Sequence, residues 1–151
     1  MFRKVLVCLD GSSLAEQMLP YATEVAERFG SSMVLLQVLH VPSSLASAAA
    51  QGAENVIEEE MRRLAFDART YLERLAARLR DTGIHVEAVT VEGTPGDAIV
   101  EYATTHEIDF IAIATHGRRN IGRLVFGSVA DHVLRNTCIP VFSVKPRETK
   151  K

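Results

Sequence analysis

Five apolar runs punctuate the chain: Val5–Leu9, Met33–Leu39, Ile84–Val91, Asp109–Ala114 and Ile139–Val144. The first, second and fourth are apolar almost throughout and rich in β-branched residues. That pattern predicts strands buried on both faces, as in parallel sheets. The third alternates more and is interrupted by His85 and Glu87, which suits an edge or near-edge position.

Between these runs the apolar spacing widens to three and four residues. Ser13 with Glu16 predicts a capping box that opens a helix carrying Leu14, Met18, Ala22, Val25, Ala26 and Phe29 on one face. Pro20 should kink this helix, and Gly30 should end it at C′. A long helix begins at Glu54, with Ile57, Met61, Leu64, Ala68, Leu72, Leu75 and Leu79 as its apolar stripe. Acidic residues crowd its start and arginines its end, matching the helix dipole, and Asp81-Thr82-Gly83 stops it. A further helix is expected from Thr94 as N-cap, with Pro95 at N1 and Asp97 at N3, to about His106. A short one should run from Ser128 to about Arg135, with Ser128 as its cap and Asp131 as capping-box partner. Val41–Ala53, rich in Ser and Ala, is expected to be a mobile, partly helical connection, and the charged tail Lys145–Lys151 to fray. The sum is β-α-β-α-β-α-β-α-β. It predicts one α/β domain over residues 1–151, a parallel sheet with helices on both faces joined by right-handed crossovers.

Composition narrows the function classes. The chain has 151 residues, 47% hydrophobic and 24% charged, with a net charge of −2. Such a balance argues against a nucleic-acid partner, which usually requires a basic surface. No run approaches the roughly 18 apolar residues of a membrane span. The first apolar run is too short for a secretion signal, so a cytoplasmic location is expected. Cys8 and Cys138 form no CxxC pair and are expected to be buried reduced thiols.

The candidate chemistry lies at the carboxyl ends of the strands, where open α/β sheets bind ligands. Ala114 to Ser128 is the richest such segment, with three glycines and three arginines. Gly127-Ser128 opens a helix whose free N–H groups suit an anion. Arg118, Arg119 and Arg123 add charge able to fork onto phosphate oxygens. A solvated basic loop is the plain alternative. Asp10, ending the first strand, suits either a nucleoside contact, a metal or an Asx turn. GxxxxGK[ST] and an early GxGxxG are both absent, which excludes a P-loop and a dinucleotide fingerprint. Histidine spacing does not suggest zinc, and no GxSxG elbow or nucleophile–base set points to catalysis.

These residues resemble the universal stress protein family over essentially the whole chain. The resemblance rests on Lys4-Val5-Leu6-Val7-Cys8-Leu9-Asp10-Gly11-Ser12, Leu35-Leu36-Gln37-Val38, Gly93-Thr94-Pro95, Thr115-His116-Gly117-Arg118, Gly127-Ser128 and Ile139–Val144. The ATP-binding branch carries Gly-x2-Gly-x9-Gly-[Ser/Thr]; here Gly117 and Gly127-Ser128 match, while Ala114 stands in the first glycine position. The resemblance implies a Rossmann-like, adenine nucleotide alpha hydrolase-like sheet in strand order 3-2-1-4-5. It implies a site of Leu9, Asp10, Val38, Ala114, Thr115, His116, Gly117, Arg118, Arg119, Gly127, Ser128 and Val129. Asp10 would contact the adenosine and the Val38 backbone the adenine edge. Ala114, His116, Gly117 and Arg118 would line ribose and phosphates, and Gly127, Ser128 and Val129 would hold the phosphates. ATP is the implied ligand, with Mg²⁺ or Mn²⁺ carried mainly by the phosphates, and a homodimer through the fifth strand, Val141–Val144, the implied assembly. A nucleotide-dependent stress-response module is therefore expected, with a slow ATPase or phosphotransferase, or a cyclic-nucleotide binder, as alternatives.

Overall fold

The computed structural model describes residues 1–41, 46–47, 50, 52, 54–115 and 127–147. Strands β1 (Lys4–Leu9), β2 (Ser32–Leu39), β3 (Val86–Glu92), β4 (Phe110–Ala114) and β5 (Val141–Val144) form one five-stranded sheet in the order β3-β2-β1-β4-β5. Every pairing is parallel. The expected architecture and order are therefore present, with β3 at one edge and β5 at the other.

Alternation along the strands divides the interior in two. Val5, Val7 and Leu9 with Met33 and Leu35 face the first core; Leu6 and Cys8 with Val34 and Leu36 face the second. The first is covered by α1 (Ser13–Glu16), α2 (Leu19–Phe29) and α3 (Glu54–Arg80); the second by α4 (Pro95–Thr105) and α5 (Ser128–Asn136). Burial of apolar side chains on both faces accounts for the uninterrupted apolar runs.

The helices depart from expectation at their ends. The expected single N-terminal helix is two. Pro20 sits in the first turn of α2, where its missing N–H costs nothing, instead of kinking a longer helix. Ser12, not Ser13, is the N-cap of α1, its Oγ accepting from Ala15 N at 3.1 Å. Phe29 is 57% exposed, although its ring still meets Phe2 edge-on. Gly30 ends α2 as expected, at φ 64°. Thr94 is the N-cap of α4 but makes no side-chain cap, and Asp97 instead contacts His132 of α5. Gly127, not Ser128, is the N-cap of α5, and Asp131 pairs with Arg135 rather than closing a capping box.

Most of the expected mobile connection, and residues 148–151 of the tail, lie outside the described residues. The start of the tail is tied down: Gln17 Oε1 accepts from Arg147 N and Gln17 Nε2 donates to Arg147 O, both at 2.9 Å. Among the described residues no helix is long and apolar enough to cross a membrane.

Cys8 is buried as expected, but Cys138 is exposed, since it lies in the short connection between α5 and β5. Burial pushes the Cys8 thiol from 9.0 up to about 12. The native thiol therefore stays neutral where the unfolded one ionises. Stability should fall as pH rises through about 9 toward 12, and Cys8→Ala should flatten that decline in denaturant titrations across the range. Alkylation of the native protein should modify Cys138 and spare Cys8, as peptide mass mapping would show.

Candidate functional site

Reversal of strand order creates the crevice. From β1 the chain moves outward through β2 to β3; from β4 it moves the other way to β5. The carboxyl ends of β1 and β4 therefore adjoin while their connections diverge. Cys8 pairs with Ile113, so the next residues, Leu9 and Ala114, close the two strands side by side.

On the β1 side the chain turns at once. Asp10 Oδ1 accepts from Ser12 N at 2.9 Å and from Ser12 Oγ at 2.6 Å. This Asx turn holds Ser12 in place to cap α1, which accounts for the cap falling one residue earlier than the capping-box pattern predicts. Gly11 takes φ 82°, a conformation that L side chains rarely adopt. Asp10 is exposed at the head of this turn.

On the β4 side Thr115 is buried, and its N–H donates to Val144 O at 2.9 Å. This extends the β4–β5 ladder one residue past Ala114. His116, Gly117, Arg118 and Arg119 lie outside the described residues. The chain is described again at Gly127, where α5 begins without a side-chain cap. Asp131 N donates to Gly127 O at 2.9 Å, so the first intrahelical bond is made there. The N–H groups of Ser128, Val129 and Ala130 precede it and have no partner within the helix. Ser128 is exposed and Val129 half-buried, so the helix end is open to an anion.

The α5 end is held by its packing on α4. His132 Nε2 lies 2.7 Å from Asp97 Oδ1. Gly96 permits this approach, because a Cβ there would stand 2.7 Å from the His132 ring. Gly96→Ala should cost about 1–3 kcal/mol from overpacking, less the roughly 0.5–1 kcal/mol gained in helix propensity. In a His132→Ala background the ring contacts are gone, but the Cβ of residue 132 remains, 2.9 Å from the added methyl. The same change should then cost less without becoming favourable, a coupling that a double-mutant cycle in denaturant would read.

On β2, Val38 is half-buried and packs against the second core, with its backbone in register with Val91. The ends of β2 and β3 are joined by Gly93 N donating to Leu39 O at 3.0 Å. The structure thus brings Leu9, Asp10, Ala114 and Thr115 to the adjoining ends of β1 and β4. Val38 lies one strand outward, and Gly127, Ser128 and Val129 start the helix that returns from the same edge.

Two residues of this region carry no prediction from the sequence. Gln37, in register with Leu9, lies beside the turn: a Cβ on Gly11 would be 3.8 Å from Gln37 Nε2. Its Oε1 is buried without a hydrogen-bond partner, as is the Tyr71 hydroxyl. Burial raises the Tyr71 pKa, and the Glu16 and Asp10 carboxylates raise it further, so the phenol stays protonated beside the turn. The signal for Gln37 was its place as the one polar residue in an apolar strand run.

Comparison with known proteins places this geometry. The sequence profile of the universal stress protein family matches residues 1–145. The chain belongs to the universal stress protein family. Universal stress protein MJ0577 of Methanocaldococcus jannaschii is 26% identical over 159 residues, covering 99% of this chain and 98% of that one. The solved structure of MJ0577 superposes with a TM-score of 0.82, covering 99% of both chains. A universal stress protein solved in complex with cAMP is 21% identical, with a TM-score of 0.66 over 95% of this chain and 97% of that one. An Arabidopsis thaliana family protein with AMP bound is 19% identical, with a TM-score of 0.67 over 97% of this chain and 93% of that one. These last two share the fold of this universal stress protein.

Proposed function

We propose that this universal stress protein is a single-domain binding module that takes ATP across the β1–β4 switch point and relays nucleotide status. The observation that carries the reading is the α5 N-terminus, open and without a side-chain cap, on the helix that leaves the edge where β1 and β4 end side by side. Phosphates of the nucleotide supply the acceptors that Ser128 and Val129 N–H lack within the helix. In this reading Asp10 meets the adenosine, Leu9 and the Val38 backbone flank the base, and Ala114 and Thr115 border the ribose. His116, Gly117, Arg118 and Arg119 attend the phosphates with Gly127. The bound cAMP and AMP of the two related structures support an adenine ligand.

Among the described residues no group of three or more His, Cys, Asp or Glu side chains could hold a metal ion. In this reading a divalent cation, Mg²⁺ or Mn²⁺, accompanies the phosphates, whose charge it would offset. A cytoplasmic homodimer completes the reading. Among the described residues β5 pairs with β4 only, and Phe142 on it is 40% exposed, so pairing with a second copy would cover an apolar edge.

Denaturing the purified protein and chromatographing what it releases tests the ligand. Adenine nucleotide near one per chain, or a saturable ATP titration, is expected. Neither signal, or a titration by cAMP alone, would defeat the ATP reading. ADP accumulation above blank that disappears in Asp10→Ala would make the module an enzyme instead.

A further inference from the structure

We propose that the side-chain amide of Gln37 reads the nucleotide base and selects adenine over guanine, an inference that rests on the nucleotide reading above. Gln37 is polar inside the otherwise apolar run Met33–Leu39, at a position whose neighbours of like parity, Met33 and Leu35, are fully buried. An amide oxygen buried there without a partner is costly unless something completes it. Its Oε1 is buried with no hydrogen-bond partner. Its Nε2 lies beside Gly11: a Cβ built there would be 3.8 Å away. That distance is ordinary van der Waals contact, so the amide lies against the turn, one residue from Asp10.

The chemistry of the amide selects the base. A primary amide offers one donor and one acceptor on a single edge. On its N7 edge adenine presents the complement, the N6 amino donor beside the N7 acceptor. Guanine presents two acceptors there, O6 and N7, and it is this edge that the amide would read. The terminal torsion of glutamine is broad, so the amide turns toward the ligand at little cost. With guanine the amide oxygen would face another acceptor and stay unsatisfied.

The test is calorimetric titration of the full-length protein with ATP and with GTP, in wild type and Gln37→Leu. Wild type should prefer ATP. Gln37→Leu should lower the ATP-to-GTP affinity ratio about tenfold, the scale of a lost bidentate base contact. Its melting temperature without nucleotide should hold or rise, since an unsatisfied buried acceptor is removed. If the leucine variant does not fold, Gln37→Met keeps the length of the side chain without its amide donor and acceptor, and should lower the ratio too. An unchanged ratio in whichever variant folds overturns the proposal, and a lowered melting temperature with it would mark the amide as a purely structural group. A wild type that binds both nucleotides equally also overturns it and leaves the binding site standing. A wild type that binds neither defeats the nucleotide reading itself.

Discussion

Leu72→Ala should destabilise the fold by about 2–5 kcal/mol, seen as a lower denaturation midpoint at unchanged slope. Leu72 is fully buried in the first core, with Leu75 and Ala76 one turn further along α3. Truncation loses the transfer free energy of the missing carbons and leaves a cavity that neighbours held by the sheet fill only partly. The same helix supplies its own control. Its 27 residues span about 40 Å, whereas the seven of β3 span about 23 Å. Its fully buried positions begin only at Ala68, and Phe66 is 72% exposed. Phe66→Ala should therefore change stability by no more than about 0.5 kcal/mol. Equal losses at the two positions would mean that the first half of α3 is covered in solution.

That helix also shows how far apolar spacing carries and where it stops. The stripe from Ile57 to Leu79 located the helix and its extent, yet Ile57, Met61 and Leu64 are only half-buried. Periodicity reports which face could be buried, whereas burial depends on what lies opposite. Strand runs behaved likewise. Val5–Leu9 and Asp109–Ala114 were legible as doubly buried strands, but two such runs look alike from within, so their adjacency came only with the family resemblance. Helix ends failed locally. Ser12 and Ser13 compete for one cap, and the Asp10 carboxylate decides for Ser12 through contacts that no spacing rule counts. Ser128 and Asp131 have the spacing of a capping box, but Arg135 one turn on takes the Asp131 carboxylate. Pro20 was ambiguous because a helix start and a helix kink share one residue type. Of the candidate site, Asp10 and Gly127 stood out as strand-end and helix-start residues. Gln37 did not, because a single polar residue in a strand becomes informative only when its partners can be counted.

The uncapped end of α5 yields the sharpest functional expectation: Ser128→Asp should weaken ATP binding about 30- to 100-fold while the protein without nucleotide becomes slightly more stable. The opposite signs come from one charge. A carboxylate in the first turn interacts favourably with the unpaired N–H groups and the positive helix end, worth about 0.3–1 kcal/mol. Ser128 gives up no cap in the exchange, since α5 starts at Gly127 without a side-chain cap hydrogen bond. Asp131, already in that first turn, is engaged by Arg135 at 2.9 Å and leaves the end open to a further charge. If phosphates occupy that end, the new carboxylate opposes them; two unit charges 4 Å apart repel by about 4 kcal/mol at an effective dielectric of 20. Solvent at the exposed Ser128 reduces this to the part quoted, and added salt should shrink the loss further. Ser128→Ala, which adds no charge, should change neither quantity by more than about 0.5 kcal/mol. Thermal melts without nucleotide and ATP titrations at two ionic strengths measure both. A gain in stability with ATP affinity unchanged would show that the helix end is real but that the phosphates bind elsewhere. A fall in both would point instead to general damage at the start of α5.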